Sequence, residues 1–524
     1  MRRIALACLL GVFVLGASLL GGCAGWGTRA SAITVRWLAG RTAPEFDPEG
    51  PADPLRRALE GLLSYGLYTR DSAGTTHPLA VERAAWSGDG LTLTLRLRAD
   101  LRFTDGTPAG SADFRDALLA GLARKDHATA AWLLSPVLGV DRIRAGRPLP
   151  VLGIEAPDSL TLVFRLARRD SSLIDRLACP GLGVPWKRLA TRTWAGAVGL
   201  GPYRVLREQP GRSLTIVRAQ PSAVRRARAD TVDVGFAVGA ARVRFALRRQ
   251  AADLVWPLPP GLLSQALPPG HRLQELAARP ARRLLLIFRC DIRPTSAMPA
   301  RAALAHAFNR GELLATFDRG SAGPAPWLDG AGVFDFPHFD VTATRAWLAR
   351  GNLGVSFHVL LAFDADGAGA EIAGLLQGEW AGLGLYAELR PLRGAAALAE
   401  PLRAAAAQVQ LVEAQAPLPG ASAELATLVM PLRGPGVGSF RTSWRTREFD
   451  SWVAGPSPAP GFDPVAAQAR LADELVALPL ATLPWRWVTR AGGPDVPFDP
   501  TIGPVFAIPV NGNAGFVMPG SGSR

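Results

Sequence analysis

The sequence has few of the residues that build catalytic and metal sites. Its 524 residues include four cysteines and six histidines, and no two histidines stand at the spacing of a metal site such as HExxH. It contains no GxSxG nucleophile motif, and its carboxylates are dispersed. The segment DADGAGAE (364–371) begins like a calcium loop but lacks the later acidic positions, which indicates a turn. These absences favour a binding protein over an enzyme and predict no catalytic residue, metal or cofactor.

Lysine is nearly absent, although the chain is basic. Of the 58 basic residues only Lys125 and Lys187 are lysines, and the formal net charge is +14. The arginines are scattered, with short pairs and no long run, which is typical of a solvated surface. The charge pattern therefore indicates neither a nucleic-acid partner nor an anionic membrane surface.

Only the N-terminus carries a long apolar run. Arg2 and Arg3 precede an apolar stretch from residue 4 to 20, and the stretch ends in Leu-Gly-Gly-Cys23. This arrangement is typical of a secretory signal peptide, and the small residues before Cys23 resemble a bacterial lipobox. We expect cleavage before Cys23 and lipid attachment to its thiol, so that residues 1–22 are removed and 23–32 form a tether. An ordinary signal peptide or a short membrane anchor is the alternative.

The remaining cysteines leave two interpretations open. Cys8 lies in the signal peptide, which leaves Cys179 and Cys290 in the mature chain. An oxidising compartment would permit a disulfide between them, while two buried thiols fit the sequence equally well.

Alternating and helical patterns occur along the chain, and its length predicts two or three domains. LTLTLRLR (91–98) has the strict period of a half-buried strand, and the Asp89-Gly90 turn precedes it. Strand, helix and strand patterns at 355–363, 370–384 and 385–392 predict a βαβ unit. The pattern is that of mixed α/β domains, with a disordered tail at 512–524.

One stretch carries a resemblance to a known family. DGLTLTLRLRADLRFTDGTPAGSADF (89–114) resembles the signature of the family-5 extracellular solute-binding proteins, the peptide-type binding components of ABC importers. The family pattern is a strand, a charged turn, a phenylalanine, then Asp-Gly-Thr-Pro and a helix. The matching residues are Phe103, Asp105, Gly106, Thr107, Pro108 and Asp113.

Further segments resemble the same family in the family's own order. GLGPYRV (199–205) is similar to its Gly-Thr-Gly-Pro-Tyr motif, through Gly201, Pro202 and Tyr203. The other segments are ITVRWLAGRTAPEFDP (33–48), HPLAVERAAWSGDG (77–90), IEAPDSLTLVFRL (154–166), ADLVWPLPP (252–260), ARAALAHAFNRGELL (300–314) and SWRTREFDSWV (443–453).

The resemblance implies an α/β, two-lobed periplasmic-binding-protein-like fold with a hinge between the lobes. The first lobe, with an inserted subdomain, would span 33–290 and also include the returning tail at 486–511. The second lobe would span 291–485. The ligand would lie between lobes that close around it. Peptide-binding members hold the ligand backbone as an added strand.

The resemblance also implies the partners. A peptide or peptide-like small ligand would be handed to the membrane subunits of an ABC importer. The protein would be a monomer, exported and held by its lipid on the periplasmic or outer face of a membrane.

The chain departs from the family at the expected ligand anchor. Members that bind a free peptide amine usually carry an aspartate in a loop resembling Ala-Asp-Tyr-Pro-Asp. Here LVEAQAPLPG (411–420) places Gln415 at that aspartate and Leu418 at the second acid, with Glu413 two residues away as a candidate substitute. The ligand could then be a blocked peptide, a sugar, a metal complex or a larger amphiphile. Candidate ligand contacts by position are Arg41, Trp327, Glu413, Gln415, Arg441 and Trp444.

Two other function classes stay open. An envelope lipoprotein could use the same fold to dock a partner, with ligand binding lost or altered. An exported hydrolase is disfavoured because no nucleophile or metal constellation is found.

Overall fold

The computed structural model describes residues 32–46, 54–71, 74–123, 128–144, 152–187, 193–219, 224–277, 281–318, 327–354, 357–393, 407–416, 418–429, 444, 446–453, 459, 461–499 and 503–509. The predicted signal peptide, Cys23, Arg441 and the predicted tail at 512–524 lie outside these residues. No helix in the described ranges is long and apolar enough to cross a membrane.

The described ranges hold strands and helices in irregular alternation. The strands are β1 Thr34–Ala39, β2 Tyr68–Arg70, β3 Thr76–Pro78, β4 Val81–Trp86, β5 Thr92–Leu97, β6 Ile154–Asp158, β7 Thr161–Arg165, β8 Tyr203–Gln209, β9 Ser213–Arg218, β10 Arg225–Ala227, β11 Thr231–Phe236, β12 Leu254–Val255, β13 His271–Leu276, β14 Arg282–Phe288, β15 His358–Asp364, β16 Tyr386–Leu392, β17 Val409–Gln415, β18 Ala477–Leu483, β19 Trp485–Arg490, β20 Phe498–Asp499, β21 Gly503–Pro504 and β22 Ala507–Pro509. The helices are α1 Pro54–Leu63, α2 Ser111–Ala123, α3 Ala128–Leu133, α4 Val140–Arg144, α5 Leu173–Leu177, α6 Ala240–Arg248, α7 Met298–His306, α8 Arg310–Asp318, α9 Val341–Arg350, α10 Gly369–Gly382, α11 Ala421–Val429, α12 Arg447–Trp452 and α13 Pro464–Glu474, with a 3₁₀ turn at Leu262–Ser264.

The first lobe is built on a seven-stranded mixed sheet. Its strand order is β13-β19-β12-β1-β11-β9-β8, with β1 parallel to β11 and β12. One face is covered by an aromatic cluster in which Trp256 packs against Trp37, Trp485 and Phe498 at centroid distances of 5.6 to 6.1 Å. The tail returns to this lobe, because β22 pairs with β10 and β19 lies within the sheet.

An inserted subdomain holds the alternating strand that the sequence predicts. Strands β4, β5, β7 and β6 form an antiparallel sheet in that order, and β4 and β5 are joined through the Asp89-Gly90 turn. Leu93, Leu95 and Leu97 of β5 are fully buried, and each stabilises the subdomain by roughly 2 kcal/mol relative to an exposed side chain. The period-two pattern therefore marks the core face of this sheet.

The Phe103–Pro108 motif joins the subdomain to the first lobe. Asp105 accepts hydrogen bonds from the backbone N–H and the hydroxyl of Thr107. It also forms an ion pair with Lys187, whose Nζ lies 2.6 Å from Asp105 Oδ2. Gly106 has a φ of +86°, which favours glycine. The N–H of Thr104 donates to the carbonyl of Gly199, next to the second family motif. The two motifs therefore form one structural joint.

Glycine is required in the second motif because the chain approaches helix α1 closely. A Cβ on Gly201 would lie 2.3 Å from the carbonyl oxygen of Leu62. The hydroxyl of Tyr203 donates to the Phe506 carbonyl and accepts from the Ala229 N–H, which ties the returning tail to the sheet.

The second lobe is built on a five-stranded sheet with the order β16-β15-β17-β14-β18. The predicted βαβ unit is confirmed: β15 and β16 are parallel, and α10 connects them. Ile372, Leu376 and Trp380 of α10 are fully buried. The helical period of these apolar residues explains why α10 covers the sheet.

The lobe boundary predicted at residue 290 is corrected by the strand pairing. Strand β14 pairs with β17 and β18 and therefore belongs to the second lobe. The chain crosses to the second lobe between β13 and β14 and returns between β18 and β19, at Pro484. Pattern alone could not assign β14, because a fully buried apolar strand suits the centre of either sheet.

The inserted subdomain also contacts the second lobe directly. The indole N–H of the fully buried Trp132, on α3, donates to the carbonyl of Val453 after α12 at 3.0 Å. The buried apolar residues of this subdomain and of the second lobe form one continuous cluster. The two lobes are therefore in contact away from the crossings as well as at them.

A buried ion pair lies within the second lobe. Arg283 of β14 and Glu424 of α11 are 5% and 2% exposed at their side chains, and Nη1 lies 2.5 Å from Oε1. Glu424 also accepts from the N–H of Asp329. Burial raises the pKa of Glu424, and the positive charge of Arg283 offsets part of that shift.

We predict that Arg283→Met lowers the free energy of unfolding by about 3 kcal/mol, because it leaves the Glu424 charge buried without its cation. Urea denaturation measures the loss, which should shrink as the pH falls, since protonation removes the buried charge. The double variant Arg283→Met/Glu424→Leu should recover most of the stability. A double variant less stable than Arg283→Met would contradict this account.

Candidate functional site

Arg282 stands where the two crossings meet. It is the first residue of β14, and its Nη1 donates to the carbonyl of Pro484, in the return crossing, at 3.1 Å. Its guanidinium lies 4.0 Å from the ring centroid of Trp485, and its Nη2 pairs with Glu413 Oε2 at 2.7 Å. One side chain therefore links both crossings to strand β17.

Glu413 uses both carboxylate oxygens within the protein. Oε2 accepts from Arg282, and Oε1 accepts from the backbone N–H of Ala368, just before α10, at 2.6 Å. Burial alone would raise the pKa of Glu413, but Arg282, the Ala368 N–H and Arg41 hold it below its ordinary value. The side chain is therefore charged and fixes the position of the segment at 364–371.

The segment at 364–371 makes polar contacts to the first lobe. Arg41, just after β1, pairs with Asp364 at the end of β15, with 2.8 Å between Nη2 and Oδ2. Thr42 Oγ1 donates to Asp366 Oδ2 at 2.8 Å, and the N–H of Gly261 donates to Glu371 Oε1. Two loops of the first lobe thus meet the end of β15, the loop after it and the first turn of α10.

Two of the acids in the contacts across the lobes are paired with arginines. Asp364 is 15% exposed, and burial raises its pKa, while Arg41 acts in the opposite direction. Asp366 also accepts from Arg393 Nη1 at 3.2 Å. We call Arg41, Arg282, Asp364, Asp366 and Glu413 the junction cluster.

The structure brings three of the candidate ligand contacts together at the junction. Arg41 and Glu413 belong to the junction cluster. Gln415 ends β17 directly opposite Arg282 in the strand register, so its side chain shares the sheet face of Arg282 and Glu413. The expected ligand-anchor position therefore carries an amide beside an arginine.

The two tryptophans lie apart from this group. Trp327 is fully buried and packs edge-on against Phe334 at 5.0 Å, as a core residue does. Trp444 is partly buried and packs against Phe449 at 4.7 Å. Arg441, as noted, lies outside the described residues.

The disulfide considered for Cys179 and Cys290 is not formed. Cys179 follows α5 in the first lobe, whereas Cys290 follows β14 in the second, and both are thiols. Burial raises the pKa of each thiol to about 11, so both stay protonated at neutral pH.

Sequence reasoning missed Asp364, Asp366 and Arg282. The segment at 364–371 is expected to be a turn, and its residues 365–368 form the loop between β15 and α10. No group of three or more potential metal-binding side chains occurs among the described residues. A usable signal was the placement of acids at the ends of adjacent parallel strands, as with Asp364 on β15 and Glu413 on β17.

Comparisons with known proteins agree with this architecture. The model of the bacterial extracellular solute-binding proteins, family 5, middle region, matches residues 75–432. No curated protein matches the chain in sequence.

Solved structures share the fold at low sequence identity. Listeria monocytogenes OppA bound to peptide is 14% identical with a TM-score of 0.75, over 91% of this chain and 98% of that one. Haemophilus influenzae OppA, in complex with RPPGFSPFR, is 14% identical with a TM-score of 0.72, over 88% and 95%. NikA from Staphylococcus aureus, in complex with Ni(L-His)2, is 13% identical with a TM-score of 0.71, over 90% and 97%.

The two-lobed α/β fold is thereby confirmed. The family consists of binding components and not of enzymes, in agreement with the missing catalytic motifs. The family match covers more than half of the chain, and the chain belongs to the family 5 extracellular solute-binding proteins of ABC importers.

Proposed function

We propose that this protein is a lipid-anchored receptor that binds a peptide or peptide-like ligand between its two lobes and delivers it to the membrane subunits of an ABC importer. The observation that carries the proposal is the pair of crossings between two sheets, with Arg41 and Asp364 meeting across the lobes. Lobes joined in this way can close around a ligand by a hinge motion. The OppA structures with peptides support a peptide-like ligand.

The ligand class follows from the charges at the junction. A free peptide amine requires a carboxylate partner, since a buried cation without one is costly. Gln415 carries an uncharged amide, and the negative charge of Glu413 is already paired with Arg282. We therefore propose that the ligand needs no free amino terminus at this position, as in a blocked peptide.

We predict that the mature chain binds N-acetylated peptides as well as peptides with free amino termini, within about twofold. The probe is a library of tripeptides to hexapeptides in both forms, with retention measured by native mass spectrometry. Gln415→Asp should shift the preference about tenfold toward the free amine, because one hydrogen bond to a charged group contributes about 1.5 kcal/mol.

Gln415→Asn is the matched control and should leave the preference unchanged. A preference of more than tenfold for free amines in the unaltered protein would refute the proposed ligand class. If neither form binds, and protein purified from its own host carries no added mass, the docking function becomes the better account.

The lipid anchor is supported by the sequence around Cys23. The apolar run ends at Leu-Gly-Gly-Cys, and a lipid on that thiol would hold an exported chain at a membrane surface.

We predict that the protein expressed with its leader partitions into the detergent phase of Triton X-114 and carries an acyl mass on Cys23. Cys23→Ser should lack that mass, and because an uncleaved apolar leader can itself enter the detergent phase, the acyl mass decides the result. A mature parent protein with an unmodified Cys23 would contradict lipidation at this residue.

A further inference from the structure

Helix α6 in the first lobe has an exposed face of unusual composition. Arg242, Phe245, Arg248 and the C-cap residue Arg249 recur at three- and four-residue intervals, and all four are exposed. Phe245 is 60% exposed, and Val238, just before the helix, is 38% exposed. Residues three and four apart share one helix face, so the four side chains from Arg242 to Arg249 form a single surface, which we call the α6 face.

The α6 face is basic and apolar without a compensating acid. Residues 237–250 contain no aspartate or glutamate. The Arg249 guanidinium lies 5.4 Å from the ring centroid of Phe245, which keeps a cation beside the exposed ring. Within the described ranges, Arg242, Arg248 and Arg249 form no ion pair. Three cations thus surround an exposed aromatic side chain.

The opposite side of α6 is anchored in the lobe. Val243 and Leu247 are buried in a cluster with Val255 and Val488. Arg244 points inward and donates to the carbonyls of Gln265 and Ala266, each at 2.9 Å. The helix is therefore held rigidly, with the α6 face directed to solvent.

The C-terminal end of α6 lies near the start of the folded chain. The carbonyl of Gln250, two residues after the helix, accepts from Arg36 Nη1 of β1 at 2.8 Å. Cys23 precedes Ile33 by ten residues, and ten extended residues span at most about 36 Å. A lipid on Cys23 would therefore hold this end of the lobe close to the membrane.

We propose that the α6 face rests on an anionic membrane surface, with Phe245 in the interfacial layer and the arginines at lipid phosphates. The proposal rests on the lipid anchor of the proposed function, which keeps a weak surface contact at high local concentration. Arginine stems lie along apolar surface while their heads stay with phosphates, and an aromatic ring suits the interface. Charge complementarity favours this occupant.

The test is vesicle co-sedimentation of the mature chain carrying Cys23→Ser, so that no lipid contributes. Vesicles contain either phosphatidylcholine alone or phosphatidylcholine with phosphatidylglycerol at three to one. Binding to the anionic vesicles is expected to be at least tenfold stronger than binding to phosphatidylcholine alone and to weaken with salt.

Arg248→Gln/Arg249→Gln should reduce binding to the anionic vesicles about tenfold, since each arginine near an anionic surface contributes severalfold. Phe245→Ser should reduce it without altering the salt dependence.

The matched control is Arg345→Gln/Arg350→Gln on α9 of the second lobe. It removes the same charge from an exposed helix face, where Arg350 lies 4.8 Å from the ring centroid of Trp347. Binding within twofold of the parent is expected for the control, with unchanged melting temperatures for all variants.

An equal loss in both arginine pairs would overturn the proposal, because the binding would then reflect net charge alone. Equal binding to both vesicles, or none, would overturn it as well and would favour a protein partner for the α6 face. Because the tested chain carries no lipid, each of these outcomes leaves the detergent-partition test of Cys23 independent.

Discussion

The ion pair between Arg282 and Glu413 is the interaction on which the junction depends. Its two side chains are 16% and 28% exposed. Removing one partner of a buried pair costs about 3 kcal/mol or more, and partial exposure places this pair at the low end of that range. The ion pair also fixes the relative positions of two segments of the chain. Arg282 contacts the return crossing, and Glu413 binds the Ala368 N–H in the loop that reaches the first lobe.

The junction cluster therefore connects the hinge to the lobe contacts in one chain of bonds. A change in the angle between the crossings would move Arg282 relative to Glu413 and so displace the loop at 364–371. That loop carries Asp364 and Asp366, the partners of Arg41 and Thr42. Buried polar networks of this kind hold discrete arrangements because each unsatisfied group is costly. The cluster couples the position of the lobes to the environment of Gln415, where the ligand is proposed to lie.

Much of the local structure could be predicted from the sequence. The alternation in LTLTLRLR and the Asp-Gly turn predict β5 and its hairpin, and the periodicity at 370–384 predicts α10. The polar partnerships could not be predicted, since Arg282 and Glu413 are 131 positions apart and Arg41 and Asp364 are 323 apart. The burial of Trp327 could not be predicted from the sequence either. Its position along the chain suggested a ligand contact, but burial against Phe334 is a tertiary property that no local pattern records.

The most direct test is a distance measurement between the lobes in ligand-free protein. Spin labels at Leu206→Cys and Arg345→Cys, both exposed, report the separation of the first and second lobes. Cys23 and the partly buried Cys290 are replaced by serine in both labelled proteins, and the buried Cys179 is protected by its raised thiol pKa. We predict one short distance in the parent and a longer, broader distribution in Asp364→Asn, which weakens the contact with Arg41. An identical distribution in both proteins would show that the junction cluster does not hold the lobes together.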